Sequence, residues 1–379
     1  MAKAARNAGY TKEYNRKMFL RLLRQRALSR AEIARQMGLT RACTSLIAEE
    51  LLQEGLVEET APAAAQKGRT PIPLQLRAEA GYAVGVYLNR DGCTVGVVDM
   101  RGGVLCQKRI RLEGDPDGQK LETLISAIRT MVRESRAPWE KLVGVGISAP
   151  GPVDGEGGRI LNPPRFDLWH YTDIGPVLEN ALQLPVYLEN NASCLARYNL
   201  GKPEAQGSEN FLLLLVDSGV GSGVISGGKV LKGAGYFTSE LGHTSINYQG
   251  RGCACGNIGC LEVYAAVNNL LRDTEFSDWH ALIDALPGSV SARQLLRQEA
   301  EYLAAGIINM TNMISIDTVL IAGELLYGIE HIIPLLETMV NERMLRRSIL
   351  PIRVLPSCAG ANSRVQAAAD VAFGRYLVV

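Results

Sequence analysis

Three cysteines, Cys253, Cys255 and Cys260, fall within eight residues of a 379-residue chain that holds only eight cysteines in all. Thiolates are soft ligands suited to tetrahedral Zn²⁺, and glycines at 252, 256 and 259 let the backbone fold round an ion. His243, ten residues upstream, supplies a fourth ligand. A closed Cys₃His set of this kind is a structural Zn²⁺ site. The other readings are buried free thiols or a disulfide, the latter disfavoured in a reducing cytosol, where dense cysteines more often bind metal. Cys43, Cys93, Cys106, Cys194 and Cys358 are scattered and read as packing residues. A glycine-punctuated run, Gly219, Gly221 and Gly223, could cradle phosphate or simply turn the chain, and such a loop alone is weak evidence for a nucleotide.

A different chemistry concentrates at the other end. Residues 1–77 carry 14 Lys and Arg against 7 Asp and Glu, and the remainder carries 26 against 32, so the near-neutral whole hides a basic head on an acidic body. A basic head reads as nucleic-acid seeking, the alternative being a solvated tail. Pattern favours the first. Met18, Phe19, Leu22 and Leu23 share one face of a helix between Lys12 and Arg26. Ser29, with Glu32 three residues on, makes a capping box for a second helix that carries Ile33, Ala34 and Met37 inward and stops at Gly38. Thr40 caps a third helix, in which Cys43, Ile47 and Leu51 step by four toward the core and Arg41, Thr44, Ser45 and Ala48 take the opposite side. That small, polar, basic face is suited to a major groove, with Arg41 reaching a guanine edge or a phosphate and Ser29, Thr40, Thr44 and Ser45 as further candidate DNA contacts; an ordinary three-helix bundle is the competing reading. Lys67 and Arg69, in the Ala/Pro/Gly-rich stretch from Thr60 to Pro73, read as the tip of a basic wing against phosphates or the minor groove, or as a flexible linker.

From Tyr82 the pattern becomes short strands, Tyr82–Tyr87, Cys93–Asp99 and Val104–Arg109, then a helix around Leu121–Val132, strands at Leu142–Ile147 and Val186–Leu188, and a helix from about Ala192 to Leu200. A second glycine-punctuated β stretch, Phe211–Leu231, restarts the same order. This α/β alternation predicts two similar lobes with a ligand cleft between them. The length predicts two or three domains, placed at 1–76 (winged helix-turn-helix), 77–200 (first lobe, completed by a C-terminal helix at 362–379) and 201–361 (second lobe, with the metal loop). Hydrophobic residues at 47% and charged residues at 21% exclude a largely disordered chain. The longest uninterrupted apolar run, Phe211–Val216, is far short of the roughly 20 residues a bilayer needs, and no signal-peptide core is visible at the N-terminus, so a cytoplasmic protein without membrane partners is expected.

Five segments in order, Ser148-Ala-Pro-Gly-Pro-Val-Asp154, Leu188-Glu-Asn-Asn-Ala192, Gly219-Val-Gly-Ser-Gly223, Glu240-Leu-Gly-His243 and Cys253-Ala-Cys-Gly-Asn-Ile-Gly-Cys-Leu-Glu262, resemble the ROK family (repressors, open reading frames and sugar kinases). With the N-terminal helices, the resemblance is to its winged-helix NagC/XylR-type regulators and covers nearly the whole chain. It implies an actin-like (ribonuclease H-like) two-lobed body. It also implies that Asn162, Asn190, Asn191, Glu240, His243 and Glu262 contact a sugar, His243 giving one ring nitrogen to the metal and the other to the ligand. The residue types suit that task, because carboxylates and amides can each bridge neighbouring hydroxyls.

The resemblance also marks where kinase chemistry is missing. Asn191 stands where the family's kinases carry an aspartate base, and an amide cannot accept the proton. After the first strand, Tyr87-Leu88-Asn89-Arg90 replaces an acid- and glycine-containing phosphate loop, Asp217-Ser218 replaces Gly-Thr, and Glu324 stands where glycine is usual. No enzyme is expected. The reading is a sugar-responsive DNA-binding regulator, a repressor of carbohydrate-utilisation genes, that binds operator double-stranded DNA as a homodimer or homotetramer and uses a non-catalytic kinase fold as sensor. The alternatives are an active ATP-dependent sugar kinase with a DNA-binding appendage, and a regulator answering to a protein or a phosphorylated sugar.

Overall fold

The computed structural model describes residues 8–60, 72–90, 92–112, 119–233, 239–358, 360 and 362–377. The head comprises α1 (Ala8–Gln25), β1 (Leu28–Ser29), α2 (Arg30–Met37), α3 (Arg41–Gln53), β2 (Val57–Glu59) and β3 (Pro73–Leu76). Its helices start where their caps dictate. The Glu32 N–H donates to the Ser29 hydroxyl at 3.3 Å while the Glu32 carboxylate accepts from the Ser29 N–H at 2.8 Å, closing the expected capping box. These bonds hold the Glu32 carboxyl below the usual range. A cap of this kind stabilises by about 1 kcal/mol. Gly38, at φ +65°, ends α2 in the left-handed conformation, and Thr40 caps α3 by accepting from the Cys43 N–H at 3.2 Å. β2 and β3 pair antiparallel, with Val57 opposite Leu76, in the sheet order β1-β3-β2. Three helices followed by this hairpin make a winged helix-turn-helix.

Next come β4 (Tyr82–Asn89), β5 (Gly92–Asp99), β6 (Val104–Arg111), α4 (Gln119–Ser135), β7 (Leu142–Ala149), β8 (Val153–Asp154), β9 (Arg159–Ile160), α5 (Ile174–Leu182), β10 (Val186–Asn190) and α6 (Asn191–Asn199). The β5–β6 turn is fixed by Asp99, whose carboxylate accepts from the Arg101 N–H at 2.8 Å and the Gly103 N–H at 2.9 Å. The rest of the chain forms β11 (Phe211–Val216), β12 (Val220–Ser226), β13 (Lys229–Val230), α7 (Glu262–Ala265), α8 (Val267–Leu270), α9 (Trp279–Ala285), α10 (Val290–Met313), β14 (Thr318–Gly323), α11 (Ile329–Arg343), β15 (Arg353–Pro356) and α12 (Ser363–Tyr376).

Among the described residues there are two five-stranded sheets, ordered β10-β7-β4-β5-β6 and β13-β12-β11-β14-β15. Counted along the chain, each has its first strand in the middle, the second and third on one side and the fourth and fifth on the other. The restart at Phe211 is therefore a repeat of one sheet plan. The central strand β11 is buried at every position, pairing antiparallel with β12 and parallel with β14. The chain packs into two compact units: residues 1–147, 174–187 and 368–379 form the first, and residues 148–173 and 188–367 the second. The head belongs to the first unit with the strand meander, and the units divide at 147, 173, 187 and 367, where the sequence placed its boundaries at 76, 200 and 361.

In the second unit α10 buries Leu296, Ala300, Leu303, Ala304 and Ile307, the i, i+3/i+4 stripe of a core helix. Glu299 lies in that stripe, fully buried, and neither carboxylate oxygen has a hydrogen-bond partner. Burial pushes its carboxyl well above the ordinary value. The native state therefore holds the Glu299 proton to higher pH than the unfolded chain does. Stability from this group is fully present below the unfolded carboxyl range near pH ~4.3 and is lost as pH rises through the folded value. Glu299→Gln is expected to gain stability relative to the parent as pH is raised from 5 to 8. Urea unfolding of both proteins at the two pH values checks this, and a difference that does not change with pH would refute it.

Candidate functional site

In the head, Arg41 is exposed and Ser45 half-buried, and both line a surface groove of about 310 Å³ with Ser29, Arg30, Ala31 and Ile72. Two expectations need correction. Thr44 does not face outward: it is fully buried, its hydroxyl donating to the Thr40 carbonyl at 3.0 Å, and Ala48 is buried beside it. The core stripe of α3 is Thr44, Ile47, Ala48 and Leu51, the i, i+3, i+4, i+7 pattern, which is broader than the four-residue step read from the sequence. A threonine fits there because its methyl packs and its hydroxyl is satisfied by the preceding turn. Ser29 is likewise buried with its hydroxyl held by Glu32, so it serves as the expected cap and is not available as a DNA contact. The outward face is instead Arg41, Ala42, Ser45, Leu46 and Glu49, with Leu46 62% exposed. Leu46 was missed because an apolar residue is read as core by default, yet an exposed one here can meet a thymine methyl. Thr40 is exposed, with its side chain engaged at the α3 cap; Lys67 and Arg69 lie outside the described residues. Several head cations are paired at the surface: Lys12 and Arg16 with Glu50 at 2.8 and 3.0 Å, and Arg30 with Glu59 at 3.0 Å.

In the second unit, the Cys253 loop folds back on the segment after His243. The Ile246 N–H donates to the Gly259 carbonyl at 2.8 Å, the Leu261 N–H to the Thr244 carbonyl at 2.9 Å and the Cys253 N–H to the Asn257 carbonyl at 2.9 Å. Gly259, at φ +71°, allows this: a Cβ there would sit 1.7 Å from the Asn247 carbonyl oxygen. The fold brings one ligand atom from each of His243, Cys253, Cys255 and Cys260 to within 4.8 Å of one another. His243 Nδ1 is 3.6 Å from Cys253 Sγ, and Cys255 Sγ is 3.7 Å from Cys260 Sγ. A tetrahedron with 2.3 Å metal–sulfur arms has sulfur–sulfur edges of about 3.8 Å, so these spacings fit a metal ion held by the four side chains. As thiols, burial and the neighbouring cysteines push Cys260 up to about 12. A divalent cation reverses that, because it stabilises the thiolates outright.

Of the polar residues expected at a sugar, Glu240 lies near His243 and Glu262, and Asn190 meets Glu240 at Gly151. Asn190 ends β10 and caps α6, its side-chain oxygen accepting from the Ala192 N–H at 2.9 Å and the Ser193 N–H at 3.3 Å. Its amide nitrogen is thereby turned toward Gly151. A Cβ on Gly151 would stand 2.6 Å from that nitrogen and 2.7 Å from the Glu240 carboxylate, so the two groups converge on one place. Burial raises the Glu240 carboxyl, opposed by nearby His243 and reinforced by Glu262. Glu262 accepts from the Val220 N–H at 3.0 Å, fixing the start of β12 beneath the site. Asn191 is half-buried in the first turn of α6, and Asn162 is exposed one residue after Leu161, whose N–H bonds the Pro152 carbonyl at 3.2 Å. Because its Nδ1 faces Cys253, His243 keeps Nε2 for a second partner.

Within the glycine run, Gly223 is used for packing. A Cβ on Gly223 would lie 2.5 Å from the Ala192 carbonyl, so Gly223 lets α6 press onto β12. Asp217 is fastened internally: it accepts from Arg364 at 2.7 Å and from the Glu324 N–H at 3.0 Å. Burial, then Asp217, raises the Glu324 carboxyl. Glu189 is buried and accepts from Lys232 at 3.0 Å and Arg197 at 3.1 Å, tying the end of β10 to residue 232. Apart from Arg197, eight residues from Glu189, these partners are far apart in sequence, and no local signal announced them. No helix among the described residues is long and apolar enough to cross a membrane.

The chain matches the ROK family over residues 83–374. It is 27% identical to a xylose repressor of Caldicellulosiruptor bescii, the match covering 88% of each protein, and 26% identical to the DNA-binding transcriptional dual regulator NagC of Escherichia coli K12, covering 91% of this chain and 89% of that one. The crystal structure of a ROK family transcriptional regulator, a homologue of the E. coli MLC protein, superposes with a TM-score of 0.80 at 24% identity and 97% coverage of both chains, an agreement of fold that extends through the head. If the four-ligand cluster holds its ion as the spacing indicates, Cys255→Ser is expected to lower bound zinc from about one ion per chain towards none. Zinc released from the purified protein on denaturation measures it, and full occupancy in the variant would show that the ligands are misassigned.

Proposed function

Since the chain belongs to the ROK family, we propose that it is a sugar-responsive DNA-binding transcriptional regulator, a repressor of carbohydrate-utilisation genes, whose kinase-like body serves as the effector sensor. The observation that carries this reading is the convergence of the Asn190 amide and the Glu240 carboxylate beside the Cys₃His cluster, in a chain whose capped head presents Arg41 in an open groove. The xylose and N-acetylglucosamine repressors similar to this chain support a sugar as effector and duplex DNA as partner. A structural Zn²⁺ on His243, Cys253, Cys255 and Cys260 would stiffen the loop and orient the imidazole, leaving Nε2 for a sugar hydroxyl. Asn162, Asn190, Asn191, Glu240 and Glu262 would bind the remaining hydroxyls.

Two observations favour a sensor over a kinase. Asn191 offers no base, and Asp217 beside the glycine run places a carboxylate, already committed to Arg364, where a nucleotide phosphate would need positive charge. Effector action follows from linkage: a sugar that binds better to a body conformation poorly matched to two operator half-sites lowers DNA affinity by the ratio of those preferences. Half-site reading requires paired chains, so the assembly is a homodimer or homotetramer. A gene regulator whose clustered thiolates hold a metal would work in the reducing cytoplasm.

Gel-shift titration of promoter fragments with and without D-xylose, D-glucose and N-acetylglucosamine tests the reading; indifference to every sugar would remove the sensing half. Arg41→Ala is expected to weaken operator binding about tenfold or more without changing sugar binding, because a bidentate base contact is worth about 1–3 kcal/mol. Glu240→Gln is expected to weaken sugar binding about tenfold while leaving DNA affinity intact, since a hydrogen bond to a charged group contributes about 1.5–3 kcal/mol. Isothermal titration reads the second effect, and sugar-dependent ADP release by the parent protein would restore the kinase alternative.

A further inference from the structure

Arg24, in the last turn of α1, makes three contacts at once. One guanidinium nitrogen donates to the Met100 carbonyl, another pairs with the Asp370 carboxylate, and the guanidinium plane lies 3.9 Å from the centre of the Phe373 ring. Arg24 and Asp370 are 15% and 22% exposed and Phe373 is fully buried, so solvent screens this contact much less than the surface pairs of Lys12. Three simultaneous contacts to two different elements use the planar fork and the aromatic stacking that only arginine provides.

Two of those contacts are with α12. The division between the two compact units falls inside this helix, after residue 367. Its first turns are fastened in the second unit, Arg364 to Asp217 at 2.7 Å and Gln366 to Tyr198 at 2.8 Å. Tyr198 is on α6, the helix that Asn190 caps. Its later turns lie in the first unit, close against β7: a Cβ on Gly146 would fall 1.9 Å from the Ala368 carbonyl oxygen. A continuous helix is stiff over this length, so a change in how its first turn is held is felt at Asp370 and Phe373.

We infer that Arg24 is a positioning residue for the DNA-reading head, clamping α1 to the far half of α12 so that the state of the sugar-binding residues reaches the head through one helix. The inference rests on the regulator reading above and adds to it the residues through which occupancy is reported. Arg24 touches neither sugar nor DNA in this role; it sets the footing of α1, against which the α2–α3 pair is packed.

The test uses the full chain and two variants, Arg24→Gln and, from the other side of the contact, Asp370→Asn. Operator affinity is measured with and without whichever of D-xylose, D-glucose or N-acetylglucosamine shifts the parent, and sugar affinity is measured separately by titration. A clamp that carries the signal predicts that the ratio of operator affinities without and with sugar falls at least about fivefold in both variants, within the usual range of allosteric coupling, while sugar affinity stays within about twofold. A residue that only stabilises the fold would lower the melting temperature and leave that ratio unchanged, which overturns the inference, as does a loss of sugar affinity that accounts for the whole effect. Amide exchange separates the two layers of argument: Arg24→Gln is expected to speed exchange in α1 and leave α10 as it was. If the parent itself ignores all three sugars, the regulator reading is what fails, and unchanged protection of α1 would then dispose of the clamp as well.

Discussion

At Gly151 the volume a methyl group would need is already taken by the side chains of Asn190 and Glu240, and the polar centre of the second unit depends on that absence. The same condition recurs where α6 meets β12 at Gly223 and where the cysteine loop meets Asn247 at Gly259. Each is a place where two stretches of backbone, or backbone and a polar tip, approach within what a Cβ would forbid. Together they let a helix cap, a carboxylate and a metal-ready loop occupy a few ångströms of one another. Larger residues at these points would spread the same donors apart without changing a single functional side chain.

The head was legible because its signals are local. A capping box, a glycine stop and a second cap each involve residues within four positions of one another, and all three stand where the sequence put them. What the sequence misjudged was rotation: a four-residue step fixes one line along α3 but not the width of the buried stripe, so Thr44 was read outward although its methyl and its bonded hydroxyl suit the core. The cysteine cluster was legible from density alone, and the restart of the strand pattern revealed two like halves. The partners of Asp217, Glu189 and Arg24 were not legible, because Asp217 and Arg364 are 147 residues apart and Arg24 and Asp370 are 346 apart, and composition says nothing about such pairings. Glu299 was invisible for the opposite reason: a glutamate in a helix is ordinarily at the surface.

Charge counting also needs the structure. Lys12, Arg16 and Arg30 are each bound to a glutamate of the same head, so its count of 14 cations overstates how many are unpaired, although the net excess is unchanged. The salt sensitivity of a DNA complex scales with phosphates neutralised, about 0.9 in logarithmic slope for each. On the proposed regulator reading, a head whose cations hold α1 against α3 gains rigidity, gives up some of that sequence-blind attraction and leaves more of its discrimination to the groove around Arg41.

The two five-stranded sheets share one wiring plan, and the turn between the first two strands is therefore the same landmark in each half. In one it follows Tyr87-Leu88-Asn89, and in the other it holds Asp217-Ser218-Gly219. A hairpin at the centre of a sheet cannot be removed without unpairing its neighbours, whereas the side chains at its turn are free to take on other contacts. The pairing of Asp217 with Arg364 is one such use: the corner between β11 and β12 anchors the first turn of α12.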